Sequence, residues 1–413
     1  MTTKHIVVLG GGVGGLVTAN ELRRRLPAHH RITLVEKNAR HAFAPSFLWL
    51  MTGARRADQI TRDLATLVRP GIEIVHAEAR AIDPARGEVL VDGRTIAYDH
   101  LVVALGAELA PDAIPGLAEG AHTFYTCDGA ARLHDTLNSF TAGDIAVVVS
   151  ALPYKCPGAP HEGAMLIADF FRARGRRDSV RVHLYTPEPQ PMPVAGPALG
   201  QAVTEMLTAK GIEFHPRHKL IAVDPSARAL HFEGHSPVAC DLLVAIPPHR
   251  GPRVIRDAGL ANDAGWVPVD RRTLATSHQG IFAIGDVTAI SIPGRWTPDV
   301  PMALPKAGVF AHAQAEVVAR RIAAEVTGVA TDAEFCGDGY CMLEAGEDLA
   351  GFAFGNFFAE PAPDVRLRRM GRAWHLGKVL LEQWWLAPLG PRRAGLELAL
   401  RLGARAYGVP AVF

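Results

Sequence analysis

Apolar positions along the chain follow two rhythms. Short, nearly unbroken apolar runs at 6–10, 32–36, 102–105, 145–150, Val180–Tyr185, Leu242–Ile246 and 281–284 alternate with longer stretches, such as 15–25 and 164–174, where apolar residues return every three or four positions. Unbroken runs read as strands buried on both faces, and the longer spacing reads as the helices that cover them. Strand followed by helix, repeated, calls for parallel sheets, because a crossover helix carries the chain back to the same end. The alternation occurs twice, so the pattern predicts an α/β protein with two doubly wound domains.

The first domain is interrupted. Its opening strand lies near residue 6, while a matching late strand, 281–284, follows the whole second unit. The expected organisation is therefore a discontinuous domain at 1–114 and 253–330, an inserted Rossmann-like domain at 115–252, and a C-terminal region at 331–413 with short strands, aromatics and an amphipathic helix. At 413 residues the chain is long enough for each part to bury its own core.

Charge narrows the function. The 43 basic and 42 acidic side chains cancel, which leaves no long-range field to draw in nucleic acid. Five cysteines, Cys127, Cys156, Cys240, Cys336 and Cys341, are too scattered for a disulfide scaffold, and none forms a CxxC zinc or thioredoxin pair. No secretory signal is seen at the N-terminus, and no apolar stretch approaches the roughly 20 residues of a spanning helix.

The first strand runs into a glycine-rich turn with Gly10, Gly12 and Gly15 in GxGxxG spacing and Gly14 inside it, followed by a helical stretch. Such a turn lets a pyrophosphate approach the backbone and faces it with a helix N-terminus. Glu36, closing the next strand beside Lys37, supplies a carboxylate for ribose hydroxyls. The fingerprint alone does not separate FAD from NAD. Two further segments do, Val102-Val-Ala-Leu-Gly106, with Ala104 and Gly106, and Gly285-Asp286 after the late strand. Both resemble segments of the two-dinucleotide flavoproteins, and the resemblance implies FAD with Asp286 on the ribityl chain. Pro305-Lys306-Ala307-Gly308 then opens a helix whose N-terminus would face the pyrimidine edge of the flavin and steady a reduced, anionic ring.

The second unit lacks the corresponding turn. Its first strand leads into Ser150-Ala-Leu-Pro-Tyr-Lys-Cys-Pro-Gly-Ala-Pro160, and Ile246-Pro-Pro-His-Arg250 stands where a closing glycine turn belongs. Prolines and a tyrosine in place of glycines discourage dinucleotide binding.

The segment Pro153-Tyr-Lys-Cys-Pro-Gly-Ala-Pro-His-Glu162 resembles the cysteine motif of sulfide:quinone oxidoreductases and of the related flavocytochrome c sulfide dehydrogenases. The resemblance implies that Cys156 pairs across the flavin with a C-terminal cysteine. Cys341 in Gly337-Asp-Gly-Tyr-Cys matches best, with Cys336 as the alternative. Sulfide would open the disulfide to a persulfide and a thiolate; Lys155 would lower the thiol pKa, and Glu162 would take or relay a proton. Cys127 falls where some members bond a cysteine to the flavin. The family's histidines have no clear equivalents, Ala131 and 191–195 standing in their places, with His134 or His161 as substitutes.

Trp374-His-Leu-Gly-Lys378, continuing to Trp384 and Trp385, resembles the family segment that lies over the flavin at the quinone side, with Lys378 near the cofactor. Beyond it, Arg393, Glu397, Arg401 and Arg405 form one charged stripe, with Leu396, Ala399, Leu400, Leu402 and Ala406 on the opposite arc. Such a helix suits a membrane surface. Phe352, Phe354, Phe357 and Phe358 are candidates to line a quinone channel. The expected function is FAD-dependent oxidation of sulfide or another small sulfur compound, with a membrane quinone as acceptor and peripheral membrane attachment. The alternatives are a type II NADH:quinone dehydrogenase and a flavocytochrome-type subunit; the oligomeric state, a homo-oligomer included, stays open.

Overall fold

The computed structural model describes residues 3–410. Its first sheet has five parallel strands in the order Ile281–Ala283, His100–Val103, His5–Leu9, Arg31–Val35, Glu73–Val75. His5–Leu9 sits in the middle because both its faces are apolar, and Ile6, Val7, Val8 and Leu9 are all fully buried. Ile281–Ala283 joins this sheet although the whole second unit lies between it and His100–Val103 in sequence.

The second sheet, also parallel, runs Ile212–His215, Val180–Tyr185, Gly143–Val149, Leu242–Ile246. The chain passes into and out of this unit through two short segments, Glu108–Leu109 and His249–Arg250, which pair antiparallel. Each parallel sheet carries a small antiparallel one: Ala79–Asp83, Glu88–Val91 and Arg94–Ala97 on the first, Leu220–Asp224, Ala229–Phe232 and Val238–Ala239 on the second. One continuous apolar core runs through both units, packing Ile6 and Val8 of one sheet and Ile145 and Val147 of the other into a single cluster.

The C-terminal region is an antiparallel sheet of Asp338–Gly346, Leu349–Asn356 and Asp364–Gly371, followed by helices Arg372–Leu386 and Pro391–Tyr407. No helix among the described residues is long and apolar enough to cross a membrane.

The last helix departs from the stripe expected of it. Arg393 turns inward: its guanidinium donates to the Trp385 and Ala387 carbonyls at 3.2 and 3.1 Å and lies 4.8 Å over the Trp384 ring. The preceding helix ends with orphan carbonyls beside it, and the half-buried arginine satisfies two of them. Of the expected apolar arc, Leu400 is buried while Leu402 is exposed, together with Leu398.

Candidate active site

The glycine turn is shaped for backbone contact with a ligand. A Cβ on Gly15 would lie 1.7 Å from the Gly10 carbonyl oxygen, and one on Gly10, at φ +99°, would lie 2.4 Å from that of Ala104. Gly15 therefore lets the helix Val13–Arg25 pack hard against the end of the strand, and Gly10 lets that end pack against the Ala104 backbone. A Cβ on Gly12 would meet nothing within 4 Å, so its backbone faces open space, as does that of Gly106. Gly14 serves packing instead, beside the Ile284 side chain. Glu36 accepts from the Gly11 N–H at 2.6 Å and the Asn38 N–H at 2.8 Å, whereas Lys37 points outward to Glu78.

At the far end of the crevice, Asp286 is half-buried, and its Oδ1 is buried with no hydrogen-bond partner. Burial pushes its carboxyl pKa up, against the pull of Lys155 and Lys306. An orphan acceptor there calls for a hydroxyl donor, and a ribityl hydroxyl of FAD meets that need. Gly285 is steadied by its N–H to Gln314 Oε1 at 2.7 Å. Helix Gly308–Thr327 begins with no side-chain cap at Ala307, so its first N–H groups are free to face a ligand. The Lys306 ammonium is used internally, donating to the Asp286 and Thr288 carbonyls at 2.6 and 3.0 Å. Its backbone is what reaches the site, since the Lys306 carbonyl accepts the Cys156 N–H at 2.7 Å. These residues fit FAD.

That hydrogen bond ties the proline-rich loop of the second unit to the flavin-side crevice. Two tyrosines lock the loop: Tyr154 Oη donates to the buried Glu188 carboxylate at 2.9 Å, and Tyr125 Oη donates to the Lys155 carbonyl at 3.0 Å. Cys156 itself takes φ +57°, a left-handed conformation unusual outside glycine.

Cys341, from Asp338–Gly346, meets this loop. A Cβ on Gly158 would lie 3.2 Å from Cys341 Sγ and 3.5 Å from Glu162 Oε2. Glu162 projects from helix Ala159–Ala173, 2 % exposed. It accepts from Lys378 Nζ at 2.6 Å and from the Glu344 N–H at 2.9 Å. Beyond Lys378, His375 Nδ1 lies 2.9 Å from the buried Glu344 carboxylate, and His375 Nε2 lies 3.6 Å from the exposed Asp348. Titratable groups thus follow one another from the cysteines towards the surface, the Lys378 and Glu344 charges adjoining without a hydrogen bond between them.

Electrostatics set the thiols. Burial drives Cys156 up to about 12, with the Glu162 charge adding to the rise and Lys378 opposing it. Cys341 is pushed well up by burial, then by Glu162 and Cys156, again against Lys378. The cation that acts on these thiols is Lys378. Lys155, expected in that role, acts on Asp286 and His249. Glu162 is itself raised by burial, with Lys378 pulling it back.

Residues 4–315 match the family of pyridine nucleotide-disulphide oxidoreductases. The chain is 32% identical over 398 residues to the sulfide-quinone reductase of Aquifex aeolicus, covering 93% of this chain and 90% of that one. It belongs to the sulfide:quinone oxidoreductase family. The X-ray structure of the sulfide:quinone oxidoreductase from Aquifex aeolicus superposes with a TM-score of 0.83 at 26% identity, covering 98% of this chain and 94% of the other. The type II NADH:quinone oxidoreductase of Staphylococcus haemolyticus is 24% identical over 367 residues, 85% of this chain and 90% of that one. Sulfide:quinone oxidoreductases and their relatives in this superfamily are FAD-dependent, and this chain is an FAD-dependent oxidoreductase.

The remaining family positions fall outside the cysteine site. Cys336 is exposed, its Sγ 3.6 Å from the Glu334 carbonyl, whereas Cys341 lies against the Cys156 loop at Gly158. Cys127 opens helix Cys127–Ser139, half-buried, with its thiol raised by burial and by Asp128. Cys240 is buried in the core of the second unit's small sheet. Neither expected substitute histidine joins the site by a hydrogen bond: His134 contacts the Met51 carbonyl and Asn138, and His161 is fully buried with neither ring nitrogen bonded. The four phenylalanines divide into two groups. Phe352 stacks on Trp374 at 4.7 Å near Phe354, while Phe357 and Phe358 pack on Phe310 and Phe335. Glu344 and His375 were not legible as site residues, although His375 lies one helical turn from Lys378 and so on the same helix face.

Proposed function

We propose that the protein oxidises sulfide, or a closely related small sulfur donor, at Cys156 and Cys341, and passes the electrons through FAD to a quinone at a membrane surface. The observation that carries this reading is the convergence of Cys341 on the Cys156 loop beside the buried Glu162–Lys378 pair.

Cys156 and Cys341 are free thiols in this structure; once they are oxidised to a disulfide, hydrosulfide attacks one of its sulfurs. The S–S bond breaks, a new one forms to the incoming sulfur, and the products are a cysteine persulfide and the other cysteine's thiolate. When neutral hydrogen sulfide is the attacking species, its proton passes to Glu162. Lys378 steadies the thiolate, which burial would otherwise disfavour. A second hydrosulfide carries the outer sulfur away as hydrodisulfide and leaves two thiols, and bound FAD would supply the two-electron sink that lets them re-form the disulfide. His375 and Asp348 give the proton a route outward through Glu344.

Two features support sulfur rather than nicotinamide as the donor. Tyr154 is buried where a glycine turn would leave room for a pyrophosphate, and it is bonded to a buried carboxylate, Glu188, which would repel phosphate charge. Membrane attachment is supported by the exposed Leu376, Leu398, Leu402 and Tyr407 on the two last helices.

The test is anaerobic flavin bleaching. Sulfide should bleach the purified yellow protein, a short-chain quinone should restore the colour, and Cys156→Ser should abolish bleaching while leaving the oxidised flavin spectrum intact. Bleaching by NADH and not by sulfide would overturn the reading.

A further inference from the structure

Two histidines and a carboxylate converge at the edge of the second sheet. In the parallel pairing of Val180–Tyr185 with Ile212–His215, His183 lies opposite Glu213 and Tyr185 opposite His215. Residues in register, and those two apart on a strand, project from one face. The three donor atoms form a small triangle. His183 Nδ1 lies 3.3 Å from His215 Nε2 and 3.5 Å from Glu213 Oε2, and His215 Nε2 lies 3.9 Å from that same oxygen.

A tetrahedral zinc ion with bonds of about 2.0–2.1 Å holds its ligand atoms about 3.3–3.4 Å apart. Two sides of the triangle already match, and the third needs to close by only a few tenths of an ångström. A hydrogen bond between the imidazoles accounts for one side, and attraction of Glu213 to a protonated ring would account for the others; a bound cation accounts for all three at once.

The surroundings are those of a ligand set. His183 Nε2 lies 3.2 Å from Asp144 Oδ1, and Arg181 grips that aspartate through both guanidinium arms, at 2.5 and 2.6 Å. A proton held on Nε2 by Asp144 leaves the Nδ1 lone pair facing the triangle, the carboxylate–histidine–metal arrangement. The His215 ring lies flat on Tyr185, centroids 4.3 Å apart at 8°, which fixes its orientation. His183 and His215 are partly buried and Glu213 is exposed, so the open side admits an ion and a water.

We propose that His183, Glu213 and His215 form a site for a divalent cation of the zinc class, with water as the fourth ligand. Bound there, the ion joins the edge strand Ile212–His215 to its neighbour. Imidazole with carboxylate suits zinc, cobalt, nickel and copper over magnesium and calcium.

The test uses FAD-loaded protein stripped with chelator, titrated with Zn²⁺ by calorimetry and with Co²⁺ by visible absorption. One saturable site per chain is expected, with the intense bands of four-coordinate cobalt and no thiolate-to-cobalt charge transfer. His183→Ala and His215→Ala should each weaken binding at least tenfold, and Asp144→Asn about tenfold or more, with the flavin spectrum and circular dichroism unchanged. If either histidine variant proves misfolded, Glu213→Gln, at an exposed position, serves in its place. Binding equal in wild type and variants, no saturable binding, or a thiolate charge-transfer band that disappears with Cys156→Ser would each overturn the proposal.

Discussion

Replacing Lys378 with methionine tests the site most directly. The lysine keeps 6 % of its side-chain surface and Glu162 keeps 2 %, at 2.6 Å. Removing one member of so buried a pair leaves the other charge uncompensated, a loss of about 3–5 kcal/mol in stability. Glu162, already raised by burial, would take up a proton and cease to accept one from sulfide. Cys156 and Cys341 would lose the cation that lowers them. Lys378→Met should therefore lower the urea midpoint of the FAD-loaded protein and slow bleaching by sulfide together. Glu162→Leu with Lys378→Met removes both charges, and should recover most of the stability while activity stays lost. A double-mutant cycle should give a coupling of about 2–3 kcal/mol. A single variant within about 1 kcal/mol of wild type, with additive doubles and an unchanged bleaching rate, would refute the reasoning.

Four further outcomes are expected. In the reduced protein, alkylation of Cys156 should be about a thousandfold slower than for a thiol of ordinary pKa 9, because a pKa near 12 cuts the thiolate that far. Its rate should rise tenfold per pH unit, measured by iodoacetamide labelling and mass spectrometry, and a plateau near pH 9 would contradict the burial argument. The same shift has a stability sign: the folded pKa lies above the unfolded one, so the unfolded chain releases its proton first and stability falls as pH rises beyond about 9. Asp286→Leu should abolish FAD retention, read from flavin absorbance, without lowering the melting temperature of the apoprotein, since it removes a buried carboxylate oxygen that has no partner; retained flavin would show that Asp286 does not hold it. Gly15→Ala should fail to yield folded protein in a solubility and flavin-content assay, because the added carbon would lie 1.7 Å from a backbone oxygen. Leu398→Glu with Leu402→Glu, one turn apart and both exposed, should weaken flotation with anionic vesicles while sulfide bleaching in detergent persists; unchanged flotation would remove the membrane role of this face.

Local order decided what the sequence could determine alone. Strand, glycine turn and helix follow one another within a few residues, so 4–36 specified the dinucleotide fold. The late Gly285-Asp286, read beside Val102 to Gly106, marked FAD, and prolines at 153, 157 and 160 marked the loss of the second glycine turn. The motif around Cys156 was equally legible, since its spacing lies within one loop. What remained needed the packing of segments far apart in the chain. Cys336 and Cys341 are five residues apart and indistinguishable by spacing; only the fold separates them, leaving Cys336 exposed ahead of the strand Asp338–Gly346 and Cys341 half-buried within it. Lys378 acts on the thiols because the C-terminal helix Arg372–Leu386 brings it to Glu162. Arg393 turns inward because the carbonyls it satisfies belong to the preceding helix. His183, Glu213 and His215 meet only across two paired strands, a neighbourhood that no linear spacing encodes. Side-chain periodicity is a property of one element, whereas burial and charge at a site are sums over several, and only the tertiary structure fixes that sum.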